Sequence, residues 1–173
     1  MRHIAFLRNV NQGQRGNPST ADIVGAFADA GSAGARTFQS NGTVVFESSE
    51  PDAVVADAVA ALAVRSGVER EAFWMPITEV AAIVGTHSGA PDAERRELTL
   101  HAGGTIDLDD AAVLAVAAGR RCEIVDAGAG WIVSVNERDR ESNATPVAER
   151  LTGGPATSRG MPTLVRLLDR FDR

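Results

Sequence analysis

Residues 35–47 read Ala35-Arg36-Thr37-Phe38-Gln39-Ser40-Asn41-Gly42-Thr43-Val44-Val45-Phe46-Glu47. The pair Asn41-Gly42 is a strong hairpin signal, because a type I′ turn needs positive φ at both central positions and Asn and Gly tolerate it. The expected elements are a strand over 35–40, the turn, and a strand over 43–47.

Outward from that hairpin the chain alternates strand and helix. Upstream, residues 3–8 are a short apolar run with a charged end, which predicts a buried strand. A polar loop rich in Gly, Asn and Gln covers 9–18. Ser19 or Thr20 can then cap a helix, with Asp22 in its first turn, Ile23, Phe27 and Ala30 on one face, and Gly31 at its end. Downstream, Pro51 opens a second helix with a Val55, Val59, Leu62 stripe, and Gly67 closes it. Residues 69–74 read as a fourth strand. The order β-α-β-β-α-β is the ferredoxin-like pattern.

A short helix over 78–84 and a loop over 85–95 follow. The pattern then restarts: a strand over 97–101, a helix capped by Asp107 and running through Gly119, a strand over 122–125, a turn at 128–130, and a partner strand over 131–135. Thr145-Pro146 starts a helix ending near Gly153, and Leu164, Leu167, Leu168 and Phe171 mark a terminal helix. The second half thus reads as β-α-β-β-α plus a helix, with no clear sequence repeat of the first. The expected class is α+β: two ferredoxin-like halves over 1–76 and 97–173, joined by 77–96, each an antiparallel sheet with helices on one face.

Composition limits the chemistry. The chain has 173 residues and 44% hydrophobic content, enough for a packed core. No apolar stretch approaches the ~20 residues of a membrane span. Arg8 interrupts the first apolar run before it reaches signal-peptide length. The chain is therefore expected to begin at Met1, to stay in the cytoplasm and to have no membrane partner. The one cysteine, Cys122, excludes an internal disulfide and a cysteine-rich zinc site. There is no tyrosine, and every basic residue is an arginine. Schiff-base lysine, a Walker-A loop and a Ser–Lys dyad are excluded with them. Anion binding falls to arginine and backbone N–H groups. The net charge of −6 argues against bulk nucleic-acid binding.

Three segments in order resemble a known family. Ala5-Phe6-Leu7-Arg8-Asn9-Val10-Asn11 resembles the opening A-L-L-R-G-I-N of the family called domain of unknown function 1697. Residues 36–48, from Arg36-Thr37-Phe38 to Val45-Phe46-Glu47-Ser48, resemble its R-T-Y-x-x-S-G-N-V-V-F-x-S. Residues 156–164, from Ala156-Thr157-Ser158-Arg159 to Thr163-Leu164, resemble its A-T-x-R-N-W-x-T-V. The resemblance spans the chain and implies two ferredoxin-like halves. It implies no activity, because none is established for that family. The chain departs from the pattern at Asn9 (for Gly), at Asn41-Gly42-Thr43 (for S-G-N) and at Gly160-Met161 (for N-W).

Two segments are candidate anion sites. The loop with Arg8, Asn9, Asn11, Gly13, Arg15 and Gly16 lies between a strand end and a helix start, with Asn41 in the neighbouring hairpin. Helix N-termini, glycine backbone and arginine all suit phosphate or carboxylate. The alternative is a solvated loop in which Arg8 pairs with a carboxylate. Ser158 and Arg159, after Thr157 and before the terminal helix, repeat that logic, with helix capping and an exposed arginine as the alternative. An RNA-recognition reading is disfavoured, because the third strand carries a single aromatic, Phe46. Asp107, Asp109 and Asp110 near His101 suggest a hard cation, but helix capping accounts for them and no metal is expected. His87-Ser88 lacks the context of a serine nucleophile. Cys122, Trp74 and Trp131 read as core residues.

The expected function is therefore binding of a small anionic ligand at the Arg/Asn/Gly loop, with no cofactor. The alternatives are an enzyme acting on an anionic substrate and a protein-interaction module. A monomer or a homodimer is expected.

Overall fold

In the computed structural model, which describes residues 1–171, the first apolar run forms strand β1 (Arg2–Leu7), and its residues from His3 on are buried. It lies between β3 (Thr43–Glu47) and β4 (Ala72–Pro76), antiparallel to both. β2 (Arg36–Phe38) pairs with β3, giving the order β2-β3-β1-β4. Helices α1 (Thr20–Asp29) and α2 (Pro51–Ser66) cover one face. There Ala5, Leu7, Val44 and Phe46 meet Ile23, Phe27, Val55 and Leu62. α1 starts at a capping box: the Asp22 N–H donates to Ser19 Oγ (3.1 Å) and the Ser19 N–H donates to the Asp22 carboxylate (2.9 Å). α2 ends at Gly67, whose φ of 71° is left-handed.

Helix α3 (Ile77–His87) follows β4 directly and carries the chain from the first of two units, Met1–Val80, into the second, Ala81–Arg173. The second unit continues with β5 (Arg96–His101), α4 (Ala111–Gly119), β6 (Cys122–Gly128), β7 (Trp131–Asn136), α5 (Ala144–Thr152), β8 (Ala156–Gly160) and α6 (Met161–Phe171). Its sheet order, β6-β7-β5-β8, matches the first position by position. The fold is α+β, with two four-stranded antiparallel sheets of ferredoxin-like order and six helices among the described residues. None of these helices is long and apolar enough to cross a membrane.

Several boundaries differ from the sequence-based expectation. The β2–β3 turn is not type I′. Phe38 pairs with Thr43, so four residues span the turn, and the left-handed positions are Gln39 (φ 57°) and Gly42 (φ 75°) rather than Asn41 and Gly42. β4 starts at Ala72 instead of residue 69, and Arg70, just before it, donates to the β1–α1 loop at Asn9 O and Gly16 O. The loop expected over 85–95 begins with the end of α3 and contains a single 3-10 turn, Ala93–Arg95. Asp110, not Asp107, caps α4, accepting from the Ala112 N–H at 2.8 Å; Asp107 accepts from the Asp109 N–H at 2.9 Å.

The largest difference is β8, a strand that the expected β-α-β-β-α-plus-helix order of the second half does not include. Ala156-Thr157-Ser158-Arg159-Gly160 has almost no apolar side chain to signal a strand. Hydroxyls supply the packing instead: Ser158 Oγ lies 2.7 Å from Thr99 Oγ1 on β5 and 2.7 Å from Thr145 Oγ1 on α5.

Candidate functional site

The loop between β1 and α1 is held from several directions. The Leu7 N–H donates to Gly42 O (2.8 Å) and the Gln12 N–H to Ser40 O (2.8 Å), which joins the loop to the β2–β3 turn. Asn17 Oδ1 accepts from the Asn11 N–H at 3.0 Å, and Gln12 Nε2 donates to Thr20 Oγ1 at 3.0 Å. Arg70 spans the base: its guanidinium donates to Asn9 O (3.5 Å), Gly16 O (3.1 Å), Ser66 Oγ (3.1 Å) and Val68 O (3.3 Å). Asn9, Gly13 and Gly16 take left-handed φ of 54°, 82° and 78°. Asn9 stands where the family pattern has glycine, and asparagine is among the few side chains that tolerate that conformation.

The tip, residues 13–16, is exposed. Among the described residues no hydrogen bond satisfies the N–H groups of Gly13, Arg15 and Gly16, and none engages the Arg15 side chain. Arg8 behaves as the simpler alternative anticipated: Nη1 donates to Glu71 Oε2 at 3.3 Å. Asn41 belongs to the same cluster through the β2–β3 turn, and its Oδ1 accepts from Thr43 Oγ1 at 2.8 Å. The Ser19–Asp22 box at the start of α1 bonds the Asp22 N–H and places a carboxylate there, which weakens the pull of that helix N-terminus on an anion.

Ser158 and Arg159 belong to the second unit and to a strand. As neighbours on β8 they point to opposite faces of the sheet, so they cannot grip one ligand together. Arg159 is 7% exposed, not the exposed capping arginine suggested by the sequence. Its Nη1 donates to Thr157 Oγ1 (2.9 Å) and Ser158 O (2.8 Å), and burial lowers its pKa to about 10.

The remaining candidates resolve into structural roles. His87 Nε2 lies 2.8 Å from Asp126 Oδ2, and its Nδ1 lies 2.6 Å from Arg96 Nη1. Both ring nitrogens are engaged, so His87 has none left to activate Ser88. Arg96 Nε in turn donates to Asp92 Oδ1 at 2.6 Å. Cys122 is buried, and that burial, with the Glu97 carboxylate second, raises its thiol pKa to about 11. Trp74 packs edge-on to His3 and donates Nε1–H to Asp52 Oδ1 at 2.8 Å. The Trp131 indole fills the space where a Cβ on Gly128 would stand, 2.4 Å away.

Sequence reasoning missed Arg70. It follows the helix stop at Gly67 and reads as one charge among Glu69 and Glu71; only the pairing of β4 with β1 brings it beneath the loop.

The family model of DUF1697, described as protein of unknown function, matches residues 1–121. A solved structure, of a conserved bacterial protein from Streptococcus pneumoniae, is similar over 96% of this chain and 98% of that one, with a TM-score of 0.58 and 12% identity. At that identity the likeness shows the fold alone. No curated protein matches the chain in sequence. The match extends from β1 past α4 and takes in two of the three resembling segments, and on it the chain belongs to the DUF1697 family.

Proposed function

We propose that the protein binds a small phosphate- or carboxylate-bearing ligand at the tip of the β1–α1 loop. One observation carries the reading. An exposed tip is held in a left-handed backbone from below, while its own N–H groups at Gly13, Arg15 and Gly16 and the Arg15 guanidinium have no partner among the described residues. A pre-shaped loop with unspent donors and a cation suits an anion, since little ordering is left for the ligand to impose. Arg8 supports the site from the strand end, shared with Glu71.

Pairing through sheet edges has less support as a role. At one edge of each sheet, β2 is three residues long and β6 has a register shift between Ile124 and Asp126, and short or irregular edges resist strand addition, which leaves β4 and β8 as the edges such pairing would need.

The test is a thermal-shift panel of nucleotides, sugar phosphates and carboxylates at fixed salt. A true ligand at a hundredfold its Kd adds about 2.7 kcal/mol, several degrees for a chain this size. Arg15→Ala is expected to lose that shift while melting like the wild type without ligand; Arg150→Ala, an exposed arginine of α5, is expected to keep it. A flat panel, or a hit undiminished by Arg15→Ala, rejects the proposal. Turnover of the stabilising compound would extend the reading to an enzyme on an anionic substrate.

A further inference from the structure

Helix α4 departs from the pattern of a surface helix. From Ala111 to Gly119 it holds only Ala, Val, Leu and Gly, with no polar side chain on any face. A helix apolar all round belongs in an interior, whereas a surface helix keeps a polar stripe toward water. One face of α4 is covered: Ala117 is buried, and Val113 and Val116 pack on the core of the second unit. The opposite face presents Ala111, Leu114, Ala115 and Ala118, all exposed, and Leu114 is 43% exposed. We propose that this face is the contact between two copies of the chain, with their α4 helices antiparallel across a two-fold axis near Ala115.

The charges at the helix ends select a second copy as the occupant. Asp109 and Asp110 precede α4, Arg120 and Arg121 follow it, and all four are exposed. Antiparallel pairing centred on Ala115 sets residue 110 of one copy against residue 120 of the other, so acid meets arginine at both ends. Parallel pairing would set like charges together. The face is therefore self-complementary in the antiparallel sense, as an isologous dimer requires. Capping accounts for Asp110, which accepts from the Ala112 N–H at 2.8 Å, and Arg121 is shared with Glu141 at 2.8 Å. Neither accounts for the apolar outer face, nor for the Asp109 carboxylate and the Arg120 guanidinium, which have no partner among the described residues. An anionic membrane suits the face less well: the net charge is −6, and no basic stripe flanks the apolar one along the helix.

The size of the face sets the strength. A helix of nine residues is about 13 Å long and covers less than the roughly 800 Å² per partner of a standard interface, so the dimer is weak, with a Kd on the order of 100 µM.

The test is sedimentation velocity on the full chain, from about 10 µM to about 1 mM, at low salt so that the end charges are little screened. The wild type is expected to pass from monomer to dimer over this range. Leu114→Glu and Ala115→Glu each place a carboxylate on the outer face, where a helix tolerates it, and each should keep the fold by circular dichroism and abolish the dimer. Asp109→Arg and Arg120→Glu should each weaken the dimer about tenfold when alone. An equimolar mixture of those two variants should recover it, because each acid-ended helix then meets a base-ended one. A chain that stays monomeric at the highest concentration, a dimer indifferent to Leu114→Glu and Ala115→Glu, or a mixture no stronger than its parts overturns the proposal. No residue of the β1–α1 loop takes part, so this reading and the anion site fail separately.

Discussion

Two buried side chains show how residue-level physics sets chemistry. Cys122 has arginines beside it in sequence, which invites the idea of a reactive thiolate. The structure places it at the start of β6, 6% exposed, with its thiol pKa near 11. A thiol in that state is inert at neutral pH. A thiol reagent at pH 7.5 is expected to leave the folded protein unmodified and to label it once in denaturant; fast labelling of the native chain contradicts the burial. His101 is also buried, 3% exposed, and that burial disfavours its charged form. Both His3 and His101 are held below the usual imidazole value, chiefly by burial. As pH falls below about 6.5 the unfolded chain takes up these protons first, so stability declines toward the folded values. The urea midpoint should drop from pH 7 to pH 5.5, and drop less in His101→Leu.

Among the elements, glycines separate backbone conformation from space. Gly13 and Gly42 share a left-handed φ, but a Cβ on Gly13 meets nothing within 4 Å, whereas one on Gly42 stands 2.9 Å from Leu7 Cβ and Val10 Cβ and 3.0 Å from Leu7 O. Gly13→Ala should cost about 1–2 kcal/mol, the price of the φ alone. Gly42→Ala should cost about 3 kcal/mol or more, because β1 and the turn must also separate. Urea denaturation of the two variants checks the order. This scale also marks what the sequence made legible. Periodic, well-capped elements such as α2, bounded by Pro51 and Gly67, and β3 with its Val-Val-Phe run could be read directly. β8 could not, since its stabilising partners Thr99 and Thr145 are 59 and 13 residues from Ser158. The Asn41-Gly42 turn was placed correctly but mistyped, because its geometry answers to Leu7 and Gln12 as well as to its own two residues.

For the whole molecule, one plan occurs twice: strand, helix, hairpin, helix, strand, then a closing helix. In each unit the loop after the first strand meets the start of the following helix, and the two loops diverge in charge. The first presents Arg15 and open N–H groups; the second carries Asp107 and Asp110, which accept from the Asp109 and Ala112 N–H groups. The first loop is legible as a candidate from its glycines and arginines, whereas the tie that Arg70 makes beneath it depends on the pairing of β4 with β1 and is not. The claim at this scale is that the protein works as a binder through its pre-shaped first loop. The most direct measurement is a ¹⁵N–¹H correlation titration with the strongest anion of the thermal-shift panel. The account predicts saturable shifts of the Gly13, Arg15 and Gly16 amides with one midpoint, abolished by Arg15→Ala; shifts confined to other residues, or none, would contradict it.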